Sequence, residues 1–73
     1  MEMATDLCEV LGERIRKARL AKGWRQIDLA EQSGVNEIHI SDLERGVREA
    51  GIRTLKKIAV ALDTTVSDLL RGF

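Results

Sequence analysis

Ser33–Gly34 divides the middle of this chain into two short amphipathic segments, and no other feature limits the possible folds as much. Before it, Gln26 to Ser33 places Ile27, Leu29 and Ala30 at spacings that one helical face collects, with polar residues between them. At the break, a glycine can take the left-handed backbone conformation at little cost and so end a helix sharply. After it, Asn36 is a good N-cap for a second helix over about Glu37 to Glu44, whose Ile40 and Leu43 stand three apart to face inward. Ala30 lies where the two helices would cross, and its small side chain lets them approach. Val35, Ile40 and Leu43 would form the buried seam.

The flanking sequence supplies three more helices. Asp6 can cap the first, with Glu9 three residues on in a capping-box-like pair. Leu7, Leu11, Ile15 and Ala18 then recur every three or four residues. Gly12 falls inside this helix at a cost of about 1 kcal/mol relative to alanine, or marks a break in it. Gly23 after Lys22 reads as its stop. Trp24 is expected to close the space between helices one and two, with base stacking as its minor reading. Arg25 takes the N-cap position of helix two, where a guanidinium cannot accept a hydrogen bond, so this end is expected to be less well capped. VREAG is a loop. Helix four spans about Ile52 to Leu62, with Leu55, Ile58, Ala59 and Leu62 inward and Arg53, Lys56 and Lys57 outward. Thr65 can cap a last helix, with Asp68 at its third position. Two aromatics, Trp24 and Phe73, and the absence of proline favour an all-α domain. The expected architecture is a compact five-helix bundle over residues 6–73, behind a loose leader at 1–5. A chain of 73 residues is near the lower limit for a single core.

Four blocks in this order, GERIRKARLAKGW, QIDLAEQSGV, ISDLERG and LKKIAVAL…VSDLL, resemble the lambda-repressor-like helix-turn-helix family, also called XRE or Cro/CI-type. The resemblance runs from about Leu11 to Gly72. It implies that the helix after the glycine turn enters the major groove of double-stranded DNA. It further implies a role for each matching position. Gln26 would donate to a phosphate and brace the recognition helix. Asn36, Glu37, Ile38 and Ser41 form the outward face at the start of that helix, with Asp42 one turn on. Positions 37, 38 and 42 match those that read base edges. Arg45 and Arg48 match the phosphate-contacting segment that follows. Arg25, Lys17 and Lys22 are further phosphate candidates. Arg19 and Glu44 match a partly buried ion pair that holds helix three against helix one. Small one-domain repressors of the Cro type and the controller proteins of restriction-modification systems share this plan.

A formal net charge of zero gives no general attraction to DNA, but the charges are blocked along the chain. Residues 14–25 carry six cations (Arg14, Arg16, Lys17, Arg19, Lys22, Arg25) and no anion. Residues 26–44 carry five anions (Asp28, Glu31, Glu37, Asp42, Glu44) and no cation. Arg45, Arg48, Arg53, Lys56 and Lys57 follow against a single anion, Glu49. Glu37 and Asp42 are acidic at reading positions, where a carboxylate can accept from a cytosine amino group but adds no attraction for phosphate. Ile38 suits a thymine methyl. The flanking arginines would then supply affinity.

The remaining chemistry is sparse. His39 and Cys8 are the only residues of their types, and neither has partners placed for a metal or a nucleophile. His39 projects beside the apolar seam as a surface or boundary residue. No phosphate-cradling glycine loop is present, so an enzyme, a cofactor and a small-molecule ligand are not expected. No apolar run approaches the roughly 20 residues of a membrane span, and with one cysteine the cytoplasm is the default. One recognition helix reads only a few base pairs, so a homodimer on an inverted repeat is expected. Val66, Leu69, Leu70 and Phe73 are its interface candidates, with Val66 and Leu69 mainly core. An antitoxin or a protein-interaction module on the same fold is the alternative.

Overall fold

Backbone N–H groups in the first turn of a helix need acceptors, and the side chains that supply them here set where most helices begin. A computed structural model describes residues 6–72; the expected leader at 1–5 and the candidate Phe73 lie outside the described residues. The described helices are α1 (Leu7–Ala21), α2 (Gln26–Ser33), α3 (Glu37–Glu44), α4 (Ile52–Ala61) and α5 (Val66–Leu69), with no strand among the described residues. Asp6 Oδ1 accepts from the Cys8 N–H at 2.8 Å, Asn36 Oδ1 from Ile38 at 2.8 Å and Thr65 Oγ1 from Asp68 at 2.9 Å. Glu9 adds no reciprocal side-chain bond at the α1 cap.

The start of α2 differs from expectation. Arg25 cannot accept, but the Asp28 carboxylate reaches back and takes the Arg25 backbone N–H at 2.8 Å. The Arg25 guanidinium lies on the same carboxylate, at 3.1 and 3.2 Å. That guanidinium, and then the Arg25 N–H, hold the Asp28 carboxyl below its ordinary range. Half of a capping box is therefore made from the acidic side. At the other end Gly34 has φ of 76° and donates to the Ala30 carbonyl at 2.9 Å, while Ser33 Oγ accepts from Val35 N–H at 3.1 Å. The turn that separates α2 from α3 is thus the left-handed glycine cap read from the sequence.

Ile15, Leu29, Ile40 and Ile58 are fully buried, one from each of the four longer helices. Leu11, Val35, Leu43, Leu55, Ala59, Leu62 and Leu69 complete the core, and Trp24 and Ala30 pack against its edge. α3 lies against both α1 and α2, α2 reaches α4, and α5 closes the space between α4 and α1. Leu7, expected to face inward, is half-exposed. It stands at the free end of α1, where it lines an open apolar groove of about 370 Å³ with Leu11, Ile52, Leu55 and Leu70.

Gly12 neither breaks α1 nor simply costs helix stability. It is buried, and a Cβ there would stand 2.2 Å from the Leu43 carbonyl oxygen and 2.8 Å from that of Glu44. The residue lets the end of α3 rest directly on the α1 backbone. Gly12→Ala improves helix propensity by about 1 kcal/mol. It should nonetheless destabilise, because backbone atoms cannot yield as a flexible side chain can. With a Cβ 2.2 Å from a backbone oxygen, overpacking falls at the upper end of about 1–3 kcal/mol, and after the propensity gain the net loss of about 2 kcal/mol lowers the melting temperature by roughly 10 °C. Thermal denaturation followed by circular dichroism checks this; a higher melting temperature would show that the two helices can separate freely.

Candidate nucleic-acid interface

α3 is held at its C-terminal end and open at its N-terminal end. The hold is Arg19 of α1, which donates through Nε to Glu44 Oε2 at 2.7 Å and through Nη2 to Oε1 at 2.9 Å. Its Nη1 donates to the Trp24 carbonyl at 2.8 Å, and Gln26 Nε2 donates to Glu44 Oε1 at 3.1 Å. The two charged side chains are 9% and 3% exposed, so the expected ion pair is present and nearly dry. Its hydrogen bond to Glu44 raises the Arg19 pKa further. One carboxylate thereby ties α1, the start of α2 and the end of α3. Gln26 meets the end of α3 there, with one amide hydrogen on the carboxylate and a second donor remaining.

At the open end Asn36, Glu37 and Ile38 are exposed, and Ser41 is half-buried one turn on. Ile38 is 71% exposed, an apolar side chain with no core to enter. The Asn36 side-chain oxygen is engaged by the cap. Asp42, one turn beyond Ile38, is paired with the arginines that follow α3. Its Oδ1 meets Arg45 Nη2 at 2.6 Å, and its Oδ2 lies 3.7 Å from Arg48 Nη1. The structure therefore brings together one expected base reader, Asp42, and two of the expected phosphate ligands, Arg45 and Arg48, as partners of each other.

The other cation candidates are also engaged. Lys22 pairs with Asp63 at 2.7 Å and lies 5.0 Å over the Trp24 ring, so it fastens the end of α1 to the end of α4. Trp24 is accordingly a covered boundary residue. Lys17 has a loose contact with Glu13 at 4.0 Å and is otherwise exposed. Arg25 is bound to Asp28. Leu69 is buried in its own chain, while Val66 and Leu70 are both half-buried and pack against the edge of the core. His39 is a boundary residue whose Nε2 is buried with no hydrogen-bond partner among the described residues.

Sequence reasoning missed Arg14. Its Nη1 donates to the carbonyls of Leu69 at 3.0 Å and Arg71 at 2.7 Å, satisfying acceptors at the end of α5. Only the cationic preference of helix C-termini hints at such a partner, and nothing in the local sequence points from Arg14 to α5.

Residues 15–69 match the family model described as Helix-turn-helix. The chain belongs to the helix-turn-helix family of the XRE type. Relatives within it differ in length. The chain spans about half the length of regulators such as the HTH-type transcriptional regulator DdrOP3 of Deinococcus deserti. That match is 39% identical over 62 residues, covering 85% of this chain and 48% of the relative. Control protein C.SmaI of Serratia marcescens is 38% identical over 65 residues, covering 89% of this chain and 77% of the relative. Among solved structures, the restriction-modification controller protein C.Esp1396I, a tetramer on its natural 35-base-pair operator, superposes with a TM-score of 0.80. It is 32% identical, and the match covers 89% of this chain and 86% of that one. The matched segment contains the whole α2–turn–α3 unit held by Arg19 and Glu44.

Removing one partner of a buried ion pair strands the other. In Glu44→Gln, three donors from Arg19 and Gln26 would converge on a group with only one oxygen. The expected loss is about 3–5 kcal/mol, and with it roughly 12 °C or more of melting temperature. An unchanged melt would mean that water reaches the carboxylate.

Proposed function

We propose that this protein is a non-enzymatic, sequence-specific DNA-binding transcriptional regulator, acting in the cytoplasm as a homodimer on an inverted-repeat operator. The observation that carries the reading is the fixed C-terminal end of α3 beside its exposed start. A helix held by Glu44 and presenting Asn36, Glu37, Ile38 and Ser41 has the form of a major-groove reader. The operator complex of the similar controller protein supports it.

Each exposed group has a chemical counterpart in the groove. The Glu37 carboxylate accepts from a cytosine amino group, and Ile38 covers a thymine methyl. Asn36 and Ser41 offer short polar contacts beside them. Phosphate contacts come from Arg45 and Arg48, which are 63% and 51% exposed, and from the second amide hydrogen of Gln26. Lys17 is a weaker phosphate ligand. Lys22 and Arg25 would first have to leave Asp63 and Asp28. Two-fold pairing sets two α3 helices about 34–36 Å apart, one turn of DNA. Leu70, which lines the open groove with Leu7 and Ile52, is one interface residue in this reading, and Phe73 is the other.

The likeness to control proteins favours a restriction-modification controller over a Cro-like phage repressor. The antitoxin or protein-interaction reading rested on an acidic recognition surface. With Asp42 paired to two arginines, Glu37 alone carries that character on the exposed start of α3, and the reading loses most of its support.

Selection from random-sequence DNA at two salt concentrations tests the function. Enrichment of an inverted repeat with half-sites about one turn apart, weakened by salt, is the expected result. Arg45→Ala should reduce the slope of log affinity against log salt by about one for each phosphate contact removed, two in the dimer. A pool without enrichment, bound equally at both salts, would point instead to a protein partner. Sedimentation of Phe73→Ser at micromolar concentration tests the interface. A shift toward monomer mass is expected, and an undiminished dimer would remove Phe73 from it.

A further inference from the structure

The acidic residue at the end of the reading face belongs to the arginines rather than to the bases. We propose that Asp42 is a positioning residue that acts as an internal counter-anion for Arg45 and Arg48, lowering affinity for DNA of any sequence. This rests on the DNA-binding reading above.

Both Asp42 oxygens are committed in the described structure. Oδ1 takes Arg45 Nη2 at 2.6 Å, and Oδ2 faces Arg48 Nη1 at 3.7 Å. The side chain is 24% exposed, while both arginines are more than half exposed. The carboxylate is thus recessed and the guanidinium groups lie outside it, where a phosphate oxygen could replace it as their acceptor. A cytosine amino group would have to share the Asp42 carboxylate with both cations. Glu37, on the same helix, has no ion pair among the described residues and is fully available for that task.

Exposed pairs of this kind are individually weak, so the carboxylate tunes the arginines without blocking them. A phosphate must compete with Asp42 on every DNA sequence alike. Contacts that depend on sequence, through Glu37 and Ile38, then make up a larger share of the binding energy. The consequence is a protein less readily trapped on non-operator DNA.

The experiment compares binding of the full chain to a random-sequence duplex across a salt titration. Asp42→Asn should bind about three- to tenfold more tightly than wild type at low salt, with a steeper salt slope. Asp68→Asn removes the same charge from a carboxylate paired with Arg71 at α5, outside the proposed interface, and should change this affinity by less than about twofold. In an Arg45→Ala, Arg48→Ala background, the gain from Asp42→Asn should fall to the Asp68→Asn level, because coupled residues are not additive. An equal gain in both backgrounds overturns the proposal, since the arginines would not be the route. So does unchanged random-sequence affinity with discrimination lost at one base pair of the selected operator, which would make Asp42 a base reader. Wild-type protein without salt-dependent DNA affinity overturns the regulator reading itself, and this inference with it.

Discussion

The contact between Arg19 and Glu44 is the constraint on which the rest of the arrangement depends. A buried ion pair of this type adds little net stability, because desolvating two charges consumes most of what their attraction returns. Its effect is positional. Two parallel hydrogen bonds fix the guanidinium and the carboxylate in one plane, and the remaining donors go to the Trp24 carbonyl and, from Gln26, to the same carboxylate. α1, the start of α2 and the end of α3 therefore meet at one point. Gly12 makes that point reachable by letting the Leu43 and Glu44 carbonyls rest against the α1 backbone. The exposed start of α3 has a defined direction because its other end is so closely held.

The surface charges follow a different rule. A neutral chain that is to approach DNA must keep its carboxylates from cancelling its cations where they are needed. Most ion pairs among the described residues are local or peripheral, such as Asp28 with Arg25, Asp63 with Lys22 and Asp68 with Arg71. These exposed pairs hold turns and helix ends, and each is worth little in stability. The pairing that bears on the proposed function is the one between Asp42 and the two arginines after α3. There the blocked charge pattern of the sequence becomes a juxtaposition, with the last exposed anion of the acidic stretch beside the first cations of the basic one.

Helix positions were legible in the sequence to within a residue or two because capping is local. Asn36, Thr65 and Asp6 each bond to a backbone N–H two or three residues away, and Gly34 ends α2 through its own backbone angle. The alternation of apolar residues likewise marked most of the core, including Ile15, Leu29, Ile40 and Ile58. Leu7 shows where that pattern stops informing: the stripe continues to the end of α1, but the neighbours that would cover it do not. Arg25 shows that a capping rule applied to one residue can miss a reciprocal partner three positions on.

The amino-acid sequence by itself determined the five helices, the turn between α2 and α3, and the residues at the outward start of α3, since all of these follow from short-range geometry and periodicity. Family resemblance added the pairing of Arg19 with Glu44. Tertiary structure alone decided that Gly12 is a contact surface, that Arg14 serves the carbonyls of α5, that Lys22 fastens to Asp63, and that Asp42 turns to Arg45 and Arg48. The first three join segments far apart in the chain, and the last depends on the path taken by the loop after α3. A backbone oxygen or a charge brought near by folding leaves no periodic trace in the sequence. Its position is set by how whole helices pack.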